Sequence, residues 1–61
     1  FSDYWRLVFD GAITAKDAEV AEVALTTYRR AFGSRPDLIP RISQMSSKLS
    51  ALKEELKEKQ P

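Results

Sequence analysis

From Leu38 onward the apolar residues Leu38, Ile42, Met45, Leu49, Leu52 and Leu56 are spaced 4, 3, 4, 3 and 4 apart. That spacing keeps them on one side of an α-helix for nearly three heptads. Pro40 falls inside this stretch, but a proline is tolerated in the first turn, where backbone N–H groups have no intrahelical acceptor. The pattern predicts a helix over 37–59 with the Asp37 carboxylate as its N-cap. At 1.5 Å per residue it would be about 35 Å long.

A matching seam of Ala18, Ala21, Leu25, Tyr28 and Phe32 predicts a helix over 15–32. Thr14, three residues before Asp17, resembles an acidic capping box. Acidic Asp17, Glu19 and Glu22 come early and Arg29 and Arg30 late, as the helix dipole prefers, with Gly33 placed as a C-terminal cap. Folding back through Gly33–Asp37 sets Phe32 against Ile42, Tyr28 against Met45, Leu25 against Leu49, Ala21 against Leu52 and Ala18 against Leu56. The numbers in each pair add to 73 or 74, so one antiparallel register serves the whole seam. A second row, Val20, Val23, Ala24 and Ala31, lies beside that seam. A two-helix hairpin leaves it in water, so the opening segment or another copy of the chain must cover it.

The opening segment, FSDYWRLVFDG, reads two ways. As a strand it would place Trp5, Leu7 and Phe9 on one face, and its aromatic and β-branched content suits that. A lone strand beside two helices has no ladder partner for its backbone groups. The preferred reading is a helix over about 3–10, with Ser2 as N-cap and Gly11 as C-terminal cap. The large apolar residues Phe1, Tyr4, Trp5, Leu7, Val8 and Phe9 spread around such a helix and cannot all point inward. An exposed apolar cluster commonly marks an interaction surface; the alternative reading is that these are local core residues of a thinly covered small domain, with Trp5 or Phe9 capping the end of the hairpin and covering Val20 or Val23. The expected fold is therefore all-α: an antiparallel helical hairpin (15–32 and 37–59) preceded by a short N-terminal helix (3–10). Residues 1–61 make a single small domain, and a start at Phe1 reads as a fragment or the ordered part of a longer chain.

Composition sharpens this picture by exclusion. A chain of 61 residues buries only about 60% of its unfolded surface. With neither Cys nor His it lacks disulfides, the usual zinc ligands and the commonest nucleophiles and general base. Association with a partner is the remaining route to added stability. The absence of cysteine fits a cytoplasmic or other reducing intracellular compartment. No apolar run approaches the ~20 residues of a membrane span, and no signal-peptide pattern is present.

The carboxylates do not form a convincing acid–base pair. Glu54, Glu55 and Glu58 alternate with Lys53, Lys57 and Lys59 as a solvated ionic face, Ser43, Ser46, Ser47 and Ser50 have no His to activate them, and Gly11 and Gly33 are isolated rather than part of a phosphate loop. Hence no catalytic, cofactor-binding or metal site and no small-molecule substrate are expected. Charge is unevenly spread: residues 29–48 carry a balance of +4 and residues 1–28 a balance of −3, within a net charge of +1.

Two functional readings follow. The favoured one is a non-enzymatic helical assembly or protein–protein interaction module, self-associating or docking on a larger complex, with Phe1, Tyr4, Trp5, Val8, Phe9, Val20 and Ala24 as its contact residues. A parallel zipper of the third helix is disfavoured, because Lys48 would face Lys53 of the other copy. An antiparallel hairpin pairing with a second hairpin fits better. The alternative is a small nucleic-acid-binding hairpin, or one that meets an acidic partner, using Arg29, Arg30, Arg35 and Arg41 around a basic tip. No membrane contact is expected in either case.

Overall fold

The computed structural model describes residues 2–59, and three α-helices account for most of them: α1 (Ser2–Thr14), α2 (Ala18–Phe32) and α3 (Ile39–Lys59). A single 3₁₀ turn, Pro36–Leu38, leads into α3. The all-α hairpin of α2 and α3 is as the seam predicts. Glu22 in α2 meets Lys53 in α3 at 2.9 Å, and Arg29 donates to the Ser46 hydroxyl at 2.8 Å. Those two contacts run in opposite directions along the two helices, which is the antiparallel arrangement. Tyr28, Ala21 and Leu25 from α2 and Ile42, Met45, Leu49 and Leu52 from α3 are buried along the seam.

The opening helix is longer than the expected 3–10. It begins at Ser2 and runs through Gly11 to Thr14, so Gly11 is an interior residue. The reason lies at the far end. Lys16 has φ 61°, the left-handed conformation that usually ends a helix at a glycine. The Asp17 N–H donates to the Ala12 carbonyl (2.8 Å) and the Lys16 N–H to the Ile13 carbonyl (3.1 Å). These are the two hydrogen bonds of a Schellman motif. Gly11 is therefore not needed as a stop signal.

Asp17 also starts the next helix. Its carboxylate accepts the Val20 N–H at 3.1 Å, which makes Asp17 itself the N-cap of α2. The expected role of Thr14 as cap is thereby corrected, since Thr14 is the last residue of α1. One residue thus closes one helix with its backbone and opens the next with its side chain.

The entry to α3 departs from expectation in a similar way. In an unbroken α-helix the Pro36 carbonyl would accept the N–H of residue 40, but Pro40 has none. That carbonyl takes the Ile39 N–H instead, three residues on, which tightens the first turn into 3₁₀ geometry. Asp37 lies within that turn and does not cap the helix. Its carboxylate holds the Arg35 guanidinium, with Nε at 3.3 Å and Nη2 at 2.8 Å, and this pairing keeps the carboxyl below the usual carboxylate range.

Gly33, following α2, also differs from the expected cap. Its φ of −66° is right-handed, so no left-handed bend requires a glycine here. A Cβ at this position would run into the Arg29 carbonyl oxygen, which itself accepts the Gly33 N–H at 2.7 Å. Close approach is what fixes the residue.

Across the bundle, α1 lies against α2 and also runs parallel to α3. Three ion pairs mark that second boundary: Asp3 with Arg41 at 3.6 Å, Asp10 with Lys48 at 4.0 Å and Lys16 with Glu55 at 2.6 Å. Their sequence separations are 38, 38 and 39, so the charges recur at about one heptad along both helices. The core between the helices is closed by Phe9 and Tyr28, the two large side chains with no residual exposure, with the small residues Ala12, Ala21 and Ala24 buried among them. No helix of the described residues is long and apolar enough to cross a membrane.

Candidate interaction surface

The structure sorts the apolar residues of α1 by their helical phase. Phe9 and Ala12 are fully inside, and Trp5, Val8 and Ile13 pack half-buried against the same core. A helix that directs this set inward must direct Tyr4 and Leu7 elsewhere, and they are 61% and 62% exposed. The Trp5 ring meets the Tyr4 ring edge-on, with centroids 5.2 Å apart at 85°. One aromatic pair therefore spans from the core to the surface.

On α2 the sides used against α3 carry Glu22 and Arg29. At 100° per residue, Val20 and Val23 stand well off that side, and they are 44% and 58% exposed. Tyr4 and Leu7 on α1 and Val20 and Val23 on α2 are the large apolar residues these two helices leave exposed. Ile39, the other large exposed apolar residue among those described, lies apart at the start of α3.

Of the expected contact residues, Tyr4 and Val20 are exposed, and Trp5 and Val8 are half-buried against the core. Phe9 and Ala24 are corrections: both are fully buried in the core of the chain and present nothing to a partner in this conformation. Phe9 is inward because α1 continues to Thr14 and adds Ala12 and Ile13 to its stripe. Ala24 belongs to the same core cluster as Phe9 and Ala12. Phe1 lies outside the described residues. Leu7 and Val23 were missing from the expected set. Leu7 could have been found from phase, since it lies opposite the line through Trp5, Phe9 and Ala12.

The basic tip is placed differently from its expectation as an open cluster. Arg29 is bonded to Ser46 and Arg35 to Asp37. Arg41 reaches the Tyr28 hydroxyl at 3.5 Å and Asp3 at 3.6 Å; the tyrosine contact, ahead of the carboxylates, holds its guanidinium more firmly protonated than usual. Only Arg30 of the four has no side-chain partner among the described residues. Two small clefts line the α1–α3 boundary. One, of about 200 Å³, is walled by Arg6, Asp10, Arg41, Gln44, Met45 and Lys48. The other, of about 210 Å³, is lined by Ile13, Lys16, Lys48, Ala51, Leu52 and Glu55. The first carries Arg6, Arg41 and Lys48 against Asp10, and the second Lys16 and Lys48 against Glu55. In the second, Lys16 and, more weakly, Lys59 hold the Glu55 carboxyl below its ordinary range.

The fold is a small three-helix domain with exposed apolar residues on α1 and α2. Comparison with family models, with curated proteins and with solved structures finds no match for the chain.

Proposed function

We propose that this chain is a non-enzymatic protein–protein interaction module that docks through the face formed by Tyr4, Leu7, Val20 and Val23. The observation that carries the reading is their exposure, 44% to 62%, in a chain whose other large apolar residues mostly close the core. A domain this small has little net stability to spare, and four such exposed side chains on two neighbouring helices are better accounted for by a partner than by the monomer's own packing. The nucleic-acid reading has less support. Three of its four arginines have intramolecular partners, and Tyr28 and Phe32, whose rings pack 5.0 Å apart, are used in the bundle rather than free to stack on bases.

The test is photo-crosslinking in cells, with a photoreactive amino acid at Leu7 or Val23 and, as control, at exposed Ser47 on α3. Adducts from positions 7 and 23 but not from 47 support the reading. A chain that gives no adducts from either position on the face overturns it.

A further inference from the structure

We propose that the partner of this face is a second copy of the chain, paired antiparallel through α2 about a two-fold axis. The proposal rests on the reading of the α1/α2 face as a docking surface and names its occupant from the charges that border it.

The outer stripe of α2 reads Glu19, Val23, Thr26 and Arg30, spaced 4, 3 and 4 apart, and all four residues are exposed. Its two charged ends differ from their neighbours in one respect. Glu22 is engaged with Lys53 and Arg29 with Ser46, whereas Glu19 and Arg30 have no ion-pair partner among the described residues. They are opposite in sign and 11 residues apart, which is about 16 Å along the axis and within about 20° of the same face.

Laying a reversed copy of α2 on this stripe brings Glu19 over Arg30 of the second copy and Val23 over Thr26 of the second copy. The two-fold axis repeats each contact in the opposite sense, as a self-complementary interface requires. All four positions are used and none meets a like charge. The reversed direction also sets the acidic start of α2 (Asp17, Glu19, Glu22) beside the basic end (Arg29, Arg30) of the other copy, whereas a parallel pairing would place acid on acid and base on base. Val20, on the same helix three residues before Val23 and exposed, adds apolar area beside the stripe. The interface is small, so association is concentration-dependent rather than permanent.

The experiment is sedimentation equilibrium across a concentration series for the unaltered chain, for Glu19→Arg, for Arg30→Glu, for the chain with both changes, and for an equimolar mixture of the two single variants. Circular dichroism checks that each variant is folded. The unaltered chain is expected to dimerise. Each single variant should dimerise at least tenfold more weakly, because its charges at both ends of the stripe then have the same sign. The mixture and the doubly changed chain should recover dimerisation. The mixture is the decisive arm, because any loss through misfolding of a single variant would persist in it. Single variants that dimerise like the unaltered chain, or a mixture that does not recover, overturn the antiparallel pairing. A chain that stays monomeric overturns self-association, while crosslinks from Leu7 and Val23 to a different protein would leave the interaction reading standing.

Discussion

Lys16 and Glu55 meet at 2.6 Å although the lysine backbone is held at φ 61°, a conformation that disfavours any residue with a Cβ. The side chain of Lys16 thus has a use that its backbone opposes. Left-handed geometry costs a non-glycine residue about 1 kcal/mol or more. Lys16→Ala is expected to lose the ion pair and keep the strain, and Lys16→Gly to lose the ion pair but release the strain. Thermal unfolding of the two variants should therefore rank glycine above alanine by about 1 kcal/mol. Equal stabilities would show that the turn relaxes without its left-handed residue.

Gly11 is the converse case. It sits inside α1, exposed, with nothing within 4 Å of where a Cβ would stand. Gly11→Ala should stabilise the fold by roughly 0.5–1 kcal/mol, since alanine loses less backbone freedom in a helix. In a domain of this size that corresponds to a rise of about 4–8 °C per kcal/mol in the thermal midpoint. Gly33→Ala should act in the opposite direction because of the Arg29 carbonyl, so the pair of substitutions separates an interior glycine from one fixed by close contact.

Core and face separate in the same kind of measurement. Phe9→Ala removes a fully buried ring and is expected to cost about 3–5 kcal/mol, comparable to the whole stability of a domain this small. Its circular dichroism should be that of a largely unfolded chain. Leu7→Ser, two residues away but 62% exposed, should stay within about 0.5 kcal/mol of the unaltered protein. A folded Phe9→Ala chain would contradict the burial of that ring.

Acid should weaken the bundle through Glu55 and Asp37. Lys16 holds the Glu55 carboxyl low and Arg35 does the same for Asp37. A carboxyl whose folded value is depressed stabilises the native state above its unfolded value, near 4. That contribution is lost as pH falls through the lower folded value. Thermal midpoints should therefore be flat near neutrality and decline below about pH 4. Glu55→Gln should lower the neutral plateau and flatten the decline, and an unchanged acid limb in that variant would remove Glu55 from the account.

Much of this was legible in the sequence where one side of a helix is buried along its length. The seam of α3 at Ile42, Met45, Leu49 and Leu52 and that of α2 at Ala21, Leu25 and Tyr28 are buried because 3.6-residue periodicity and burial express the same constraint. The ends of helices were harder to read. Gly11 looks like a stop because most left-handed caps are glycine, and nothing in a lysine announces that Lys16 adopts that role. Asp17 fits the third position of a capping box as well as it fits an N-cap, and only the hydrogen bond to Val20 decides between them. The face followed the same logic: Val20 and Val23 stood out as an uncovered row, but ending α1 at Gly11 left its phase open and concealed that Phe9 is inward and Leu7 outward.

The three ion pairs that α1 and the turn following it make with α3 also act as an alignment check on that boundary. A shift of four residues in one direction would bring Asp3 to Asp37, Asp10 to Gln44 and Lys16 to Ala51. The opposite shift would bring Asp3 to Met45, Asp10 to Leu52 and Lys16 to Lys59. Either slip forfeits all three pairs at once and sets one pair of like charges together. Exposed ion pairs of this kind add little to stability individually, but as a set they distinguish the native alignment from both of its nearest competitors.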